Sequence, residues 1–263
     1  MASVAVVAGH IIEKGIMERA DITPIILLSF STFMIVGGAN ILNDLDDIQV
    51  DQGRSSRKPI ASGLMKEKFA RGYFVSLWTA AIIFSMITSI LLKASLPLLI
   101  VLVSIFLLYC YERFLKKRGL PGNIMIGLLT GAPFLLGASI TGISTVILWI
   151  FLMAVFSNTS REITKDIEDA RGDSPKRKTL PIRIGGRKAS FISSIFLFAA
   201  LFISAAPVII NRPDISYVIP VGLADIIFLL SLYWIFKDSR KAQQLAKLGM
   251  ICAVLGFIIW STA

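Results

Sequence analysis

The stretch ITPIILLSFSTFMIVGGANIL, residues 22–42, carries no charge and runs directly into NDLDDIQVD, residues 43–51. About 20 consecutive apolar residues are enough for a helix to span the hydrocarbon core of a bilayer. Four aspartates then follow within eight residues at the end of this segment. Ionised carboxylates at a membrane boundary repel one another and resist dehydration, so a positive partner is expected among them.

The rest of the chain has the composition of a polytopic membrane protein. Of its 263 residues, 55% are hydrophobic and 17% are charged, whereas about a quarter of the residues in a soluble domain are charged. Hydropathy predicts full helices at 22–44, 71–92, 95–112, 123–142, 144–163, 188–209, 215–236 and 245–262, and a shorter segment at 2–13. We therefore expect an all-α bundle of eight or nine transmembrane helices, forming a single membrane domain over 1–263 without a cleavable signal peptide.

The basic residues predict the orientation of this bundle. Of the 27 Lys and Arg residues, 23 fall in the connections at 45–71, 112–122, 161–189 and 237–247, which alternate with connections that are nearly free of basic residues. The basic side is expected to be cytoplasmic, in a multi-pass protein of the cell membrane. Membrane orientation accounts for much of the +10 net charge. Nucleic-acid binding is not expected, because the sequence contains no soluble basic domain.

A second acidic segment, DIEDARGD at 166–173, repeats the pattern of the first. Asp44, Asp47 and Asp51 have the spacing D-x2-D-x3-D, and Asp166, Asp169 and Asp173 have the same spacing. On a helix these offsets fall within an arc of roughly 60°, so each trio can line one face. The polar residues Asn40 and Glu162 lie four positions before the two trios, and the basic segments RSSRKPIASG (54–63) and KRKTLPIRIGG (176–186) follow them.

Two facing carboxylate clusters suit a hard divalent cation, and Mg²⁺ completes its coordination shell with water and phosphate oxygens. The neighbouring Lys and Arg residues would bind the remaining phosphate charge. A single trio could equally be an ordinary solvated helix end, but two copies at the ends of membrane helices favour a metal–diphosphate site. Three other classes of membrane protein fit the sequence less well. A transporter would place its carboxylates near the midplane, a structural protein needs no duplicated trios, and the D-G-x2-A-R signature of CDP-alcohol phosphotransferases is missing.

The paired motifs resemble those of the UbiA-type intramembrane prenyltransferases, which join a polyprenyl diphosphate to an acceptor. NDLDDIQVD is similar to the first motif of that family, N-D-x2-D-x3-D, and DIEDARGD is similar to the second. RKPIASG (57–63) resembles the loop after the first motif, and YERFLKKRGLPGN (111–123) resembles the connection between the fourth and fifth helices. The resemblance implies a Mg²⁺-dependent enzyme with a polyprenyl diphosphate donor, working at the membrane lipid interface. The family usually begins with a full helix, which is shortened here.

Within the family, REITKDIEDARGD (161–173) is most similar to the branch that transfers a geranylgeranyl group to geranylgeranylglyceryl phosphate. That reaction makes the second ether bond of archaeal-type membrane lipids, so a lipid-like glyceryl phosphate acceptor is implied. The alternative is the branch that prenylates aromatic acceptors, such as quinone, tocopherol or chlorophyll-type precursors, because its members can carry a similar string.

The resemblance and the acidic repeat together predict the residues of the site. The expected metal ligands and catalytic carboxylates are Asp44, Asp47, Asp51, Asp166, Asp169 and Asp173. The expected phosphate-binding bases are Arg57, Lys58, Lys116, Lys165 and Lys178, and the expected orienting groups are Asn40, Asn43 and Glu162. His10 is the only histidine in the sequence and receives no role, which argues against a histidine metal site.

Overall fold

The computed structural model describes residues 2–52, 58–116, 118–170, 179–210 and 215–263, with the side chains of Val50 and Asp51 excepted. Within these ranges the chain forms twelve α-helices and one π-helical turn. They are α1 (Ala2–Lys14), α2 (Arg19–Asp46), α3 (Ile48–Gln52), α4 (Glu67–Leu92), α5 (Leu96–Cys110), the π-helical turn (Tyr111–Leu115), α6 (Leu120–Ala138), α7 (Thr145–Asp169), α8 (Leu180–Ile184), α9 (Gly186–Ser204), α10 (Ala206–Ile210), α11 (Ile215–Ile235) and α12 (Ser239–Thr262).

The predicted membrane bundle is confirmed. In the described ranges, 8 helical segments are long and apolar enough to cross a bilayer. They are α2, α4, α5 with the π-helical turn, α6, α7, α9 with α10, α11 and α12. Large apolar side chains point outward from them, and Phe33, Phe106 and Phe202 are 66%, 64% and 75% exposed. Such an apolar exterior is suited to contact with lipid chains, in a protein whose helices satisfy their own backbone hydrogen bonds.

Helix α1 is the shortened first segment that the sequence predicts. Its 13 residues extend about 20 Å, which is too short to cross a bilayer. The helix packs inside the bundle against α6, α2 and α12, and Val6 and His10 are completely buried. Close approach to α6 requires glycine on both helices. A Cβ atom at Gly9 would overlap the carbonyl oxygen of Phe134, and one at Gly137 would overlap that of Val6.

Polar contacts fix the other end of α1. Lys14 Nζ lies 2.8 Å from Asp21 Oδ2, and His10 Nε2 lies 3.3 Å from the same oxygen. Glu13 accepts hydrogen bonds from the backbone N–H of Ser144 at 3.1 Å and from its hydroxyl at 2.7 Å. These contacts connect α1 to the start of α2 and to the start of α7.

Hydroxyl groups join α7 to α9 near the end of the bundle that carries the second acidic segment. Ser193 Oγ lies 2.9 Å from Ser160 Oγ and 2.8 Å from Thr164 Oγ1, and all three residues are buried. Small hydroxyl-bearing residues let membrane helices approach closely and hydrogen-bond across the interface. The network therefore fixes the rotation of α7 about its axis, which in turn sets where Glu162 and Asp166 point.

Most helix boundaries differ from the hydropathy prediction by one to six residues, and two of the differences bear on the acidic trios. Helix α7 continues past 163 to Asp169, so Asp166 and Asp169 do share one helical face. Helix α2 ends at Asp46, and Asp47 leaves the helix with φ −101° and ψ 8° before α3 begins. The expectation of a single continuous helical face for Asp44, Asp47 and Asp51 is therefore wrong. At the break, the carboxylate of Asp47 contacts Lys116 Nζ at 3.0 Å, so a tertiary contact accompanies the change of backbone conformation.

The glycine contact between α1 and α6 gives a matched pair of substitutions. Gly137→Ala should lower the melting temperature in detergent, because the added methyl group collides with the rigid backbone of α1. Gly72→Ala is the control. A Cβ atom at Gly72 in α4 meets nothing within 4 Å, and alanine is favoured over glycine inside a helix by up to about 1 kcal/mol. Equal melting temperatures for the two variants would contradict the proposed packing.

Candidate active site

A cavity of about 390 Å³ lies between α2, α5, α6 and α7. Its size falls at the lower end of the roughly 300–1,000 Å³ typical of ligand pockets. Apolar side chains line most of it, including Ile35, Val101, Leu108, Leu129, Pro133 and Leu136. Polar side chains also line it, namely Asn40 and Asn43 of α2, Glu112 of the π-helical turn, and Glu162 and Lys165 of α7. An amphiphile with an apolar chain and a charged head is the kind of molecule that matches such a lining.

At the end of α2, each of three carboxylates contacts a basic side chain that lies outside this helix. Lys58 Nζ lies 2.8 Å from Asp44 Oδ1, and Arg113 Nη1 lies 3.1 Å from Asp46 Oδ1. Lys116 Nζ lies 3.0 Å from Asp47 Oδ2 and also donates a hydrogen bond to Asn43 Oδ1. The positive charge that the first acidic segment requires is therefore supplied by lysine and arginine side chains.

The π-helical turn positions Lys116 beside Asn43 and Asp47. The N–H of Lys116 donates to the carbonyl of Tyr111, five residues earlier, at 2.8 Å. Lys116 Nζ also lies 3.1 Å from Glu112 Oε2, and the two side chains are only 16% and 6% exposed. Single π-helical turns within α-helices occur frequently at functional sites, because the extra residue reorients the side chains that follow.

On α7, the second acidic segment is held by a set of amide and guanidinium groups. Asn123, a buried residue near the start of α6, donates from Nδ2 to Asp166 Oδ2 at 3.1 Å. Arg161 Nη1 lies 2.7 Å from Glu162 Oε1 and donates to Asn158 Oδ1 at 3.3 Å. Asp166 thus has a fixed orientation toward α6, and Glu162 has an adjacent countercharge.

The structure brings many of the predicted residues together, but it does not bring all of them to one point. Asn40, Asn43, Glu162 and Lys165 line the cavity. Asp44, Asp47, Lys58 and Lys116 gather at the end of α2, Asp166 contacts Asn123, and Asp169 is exposed at the end of α7. The backbone of Asp51 belongs to α3, while its side chain lies outside the description. Arg57, Asp173 and Lys178 lie outside the described residues.

The sequence-based prediction did not include five participants, namely Glu112, Arg113, Asn123, Asn158 and Arg161. Glu112 is a carboxylate close to the end of an apolar segment, spaced four residues from Lys116, and that spacing was a usable signal. The contact between Asn123 and Asp166 joins positions 43 residues apart. No local pattern predicts a pair at that separation.

The donor chemistry at the helix ends fits a hard cation, because all the predicted ligands are carboxylate oxygens. Asp44 and Asp47 each lie beside a lysine ammonium, so both carboxylates occupy positions where positive charge is stabilised. Within the described ranges, however, no group of three or more His, Cys, Asp or Glu side chains is close enough to hold a metal ion. The predicted trios include two members, Asp51 and Asp173, whose side chains the description does not cover.

The fold and the site together define a multi-pass membrane protein with an amphiphile-sized cavity, whose polar residues adjoin acidic helix ends. The chain belongs to the UbiA prenyltransferase family, whose sequence model matches residues 4–261. The family prediction from the paired motifs is thereby confirmed, and the protein is a prenyltransferase.

Curated relatives cover nearly the whole chain. The digeranylgeranylglyceryl phosphate synthase of Methanosarcina mazei is 34% identical over 98% of this chain and 93% of its own length. The enzyme of the same name from Methanococcoides burtonii is 33% identical over 98% of this chain and 94% of its own length.

Solved structures give the same fold. A structure described as a digeranylgeranylglyceryl phosphate synthase in membranes has a TM-score of 0.84 at 28% identity, covering 99% of this chain and 93% of its own. A UbiA homolog from Archaeoglobus fulgidus bound to GPP and Mg²⁺ has a TM-score of 0.75 at 16% identity, covering 99% and 94%. At that identity the second structure supports the fold alone.

Asn123 provides a test of how Asp166 is held. Asn123→Ala removes the donor to a half-buried carboxylate. A hydrogen bond to a charged group contributes about 1.5–3 kcal/mol, so we expect prenyl transfer to slow by roughly 10- to 100-fold. Asn123→Asp, which keeps the side-chain size but places two carboxylates together, should slow it further. The measurements are the initial rate across Mg²⁺ concentrations and the melting temperature. Unchanged rates and Mg²⁺ dependence in the Ala variant would exclude a positioning role.

Proposed function

We propose that the protein transfers a geranylgeranyl group from its diphosphate to geranylgeranylglyceryl phosphate, forming the second ether bond of an archaeal-type membrane lipid. The reaction would be carried out by a single membrane domain over 1–263, with its site on the cytoplasmic side. The near-full-length similarity to relatives named digeranylgeranylglyceryl phosphate synthase is the observation that carries the proposal. The same relatives favour this acceptor over the aromatic alternative.

The cavity lining supports a donor that is a prenyl diphosphate. Its apolar walls suit a hydrocarbon chain, and Lys165 is one of its polar lining side chains. A second lysine, Lys116, donates a hydrogen bond to Asn43, which also lines the cavity. A diphosphate brings several negative charges into a site whose walls are largely apolar. Lysine ammonium groups and a divalent cation can neutralise that charge there, and their interaction is stronger than in bulk water.

Magnesium would be held by Asp44, Asp47 and Asp51 on one side and by Asp166, Asp169 and Asp173 on the other. When bound, it supplies Lewis-acid neutralisation of the charge that builds on the departing diphosphate. The orientation of Asp166 by Asn123 and the closeness of Asp44 and Asp47 to ammonium groups are compatible with these roles.

The basic and amide side chains would handle the phosphate groups. Lys58 and Lys116 contact carboxylates in this structure and can turn to phosphate oxygens when those carboxylates bind a cation. Lys165 reaches the cavity from α7, and Arg57 and Lys178 complete the proposed set of bases. Asn40, Asn43 and Glu162 line the cavity and would orient the donor.

In the chemical step, the allylic C1–O bond of the donor breaks and its electron pair leaves with the diphosphate. The developing cation is delocalised over the allylic system, and the apolar walls exclude water that would otherwise capture it. The free hydroxyl oxygen of the acceptor forms the new bond to C1. Its proton passes to the diphosphate or to a carboxylate, and Glu112 and Glu162 are the carboxylates that line the described cavity.

A matched pair of substitutions tests the metal role of the first segment. Asp44→Asn removes a proposed ligand and should reduce turnover at least about 100-fold, as loss of electrostatic stabilisation in an active site does. Asp46→Asn is the control, because Asp46 lies outside the D-x2-D-x3-D positions and pairs with Arg113. Mg²⁺-dependent thermal stabilisation, measured without substrate, should be lost in the first variant and kept in the second. Activity that persists in EDTA would contradict the metal role.

The acceptor is tested with labelled geranylgeranyl diphosphate and three acceptors offered at equal concentration. Geranylgeranylglyceryl phosphate should be prenylated fastest, its dephosphorylated analogue should be poor, and an aromatic acid should be inactive. The physical reason is that the bases at the helix ends bind the acceptor phosphate, and the analogue lacks that charge. Equal turnover with and without the phosphate would show that it is not recognised, and faster prenylation of the aromatic acid would overturn the proposed acceptor.

A further inference from the structure

A second concave surface lies on the outer side of the bundle, where α8, the start of α9 and the end of α11 meet. We define the α8–α9 groove by Arg183, Arg187, Lys188, Phe191, Ile192 and Phe236. It has a volume of about 950 Å³. None of the residues that line it lines the central cavity, and α7 packs against both α6 and α9. The groove is therefore a separate surface from the candidate active site.

The charge of the groove has one sign. Arg183, Arg187 and Lys188 are all exposed, and no acidic side chain lines the groove. Among the described carboxylates at this end of the bundle, Asp169 is exposed at the end of α7, and two others contact neighbouring side chains. Glu162 contacts Arg161, and Glu168 accepts from Gln243 at 2.7 Å. The three bases thus form a local positive surface that needs an anionic counterpart.

The apolar part of the groove is arranged directly below these bases along α9. Arg187 and Phe191 are four residues apart, as are Lys188 and Ile192, so each base has an apolar side chain one turn along the same helix face. Phe191 is 62% exposed and Phe236 is 55% exposed. Because α9 begins a membrane span at Gly186, the bases lie at the level of lipid headgroups and the phenyl rings lie at the level of the chains.

The floor of the groove is rigid. Ser190 Oγ donates to the carbonyl oxygen of Ile235 at 3.4 Å and joins α9 to α11 beneath it. Ala189 is completely buried in a cluster with Ile163 and Leu180. These contacts fix the backbone of α9 beside α11, which places the bases and the phenyl rings on one surface that suits a ligand with a phosphate at one end and a chain at the other.

We infer that the α8–α9 groove binds a phosphate-bearing lipid, with the phosphate on Arg183, Arg187 and Lys188 and a hydrocarbon chain along Phe191 and Phe236. The ligand is an anionic phospholipid of the surrounding membrane, because the three bases lie where α9 begins its membrane span and the neighbouring phenyl rings are exposed on the outer side of the bundle.

The inference is tested by counting bound lipids with native mass spectrometry, on the full chain in detergent with EDTA present. The probes are phosphatidylglycerol and phosphatidylcholine with identical chains. An interfacial base contributes about 1 kcal/mol to the binding of an anionic lipid, or about fivefold in affinity. The double variant Arg187→Gln/Lys188→Gln should therefore bind phosphatidylglycerol about 25-fold more weakly, while binding of phosphatidylcholine remains unchanged.

The matched control is Arg240→Gln/Lys247→Gln, which removes one arginine and one lysine from exposed positions of α12 outside the groove. It should leave phosphatidylglycerol binding unchanged. Arg187→Lys keeps the charge and should also bind phosphatidylglycerol normally. If the double variant does not fold, Arg183→Gln takes its place as the test of the groove. Equal losses in the groove and control variants, undiminished binding in the groove variant, or equal affinity for the two phospholipids would each overturn the inference.

Competition identifies the source of the lipid. Failure of geranylgeranylglyceryl phosphate to displace phosphatidylglycerol from the groove is the result expected for a membrane phospholipid. Displacement at comparable concentration would overturn that assignment, because it would identify a site that the enzyme's own lipids share. Because binding is counted without Mg²⁺ and without turnover, a negative result rejects the groove and leaves the proposed prenyl transfer unaffected.

Discussion

Lys116 organises the charged region at the end of α2, because its ammonium group contacts Asn43, Asp47 and Glu112 together. These groups come from two helical segments, and they are largely buried. Removing one partner of a buried ion pair costs about 3–5 kcal/mol, since the remaining charge is then uncompensated. Lys116 therefore does more than balance charge. It fixes the end of α2 against the π-helical turn, and it keeps the polar part of the cavity wall at a defined position.

The apolar part of the cavity has a different task. In the proposed reaction an allylic cation develops, and the apolar walls would keep water away from it. Helix α1 contributes to this although it is too short to span the membrane, and its residue Ala2 lines the cavity. The glycine contacts with α6 hold α1 close to the cavity wall, and Glu13 and Lys14 fix its other end. The packing of α1 against the cavity wall thus depends on close backbone approach to α6.

The sequence was sufficient for the bundle and for the family, because both depend on local signals. Apolar runs of about 20 residues predict spans, and the duplicated D-x2-D-x3-D spacing is specific. Helical periodicity places Asn40 one turn before Asp44 and Glu162 one turn before Asp166, but their meeting at one cavity depends on how the helices pack. The break at Asp47 and the π-helical turn at Tyr111–Leu115 could not be predicted in this way. Both depend on competition between similar backbone conformations, which tertiary contacts decide. The pairing of Asn123 with Asp166 has the same origin, since it requires the packing of α6 on α7.

The lysine–carboxylate pairs also suggest how the site remains nearly neutral when its charges change. In this structure Lys58 and Lys116 neutralise Asp44 and Asp47. A diphosphate that arrives with a divalent cation brings both signs of charge together. Under the proposed function, the aspartates would hold the cation and the lysine ammonium groups would bind phosphate oxygens. Every charge would then have a partner both with and without substrate, so no isolated ion would carry the desolvation penalty of a low-dielectric site. The lysine–aspartate pairs of this structure are the substrate-free form of that arrangement.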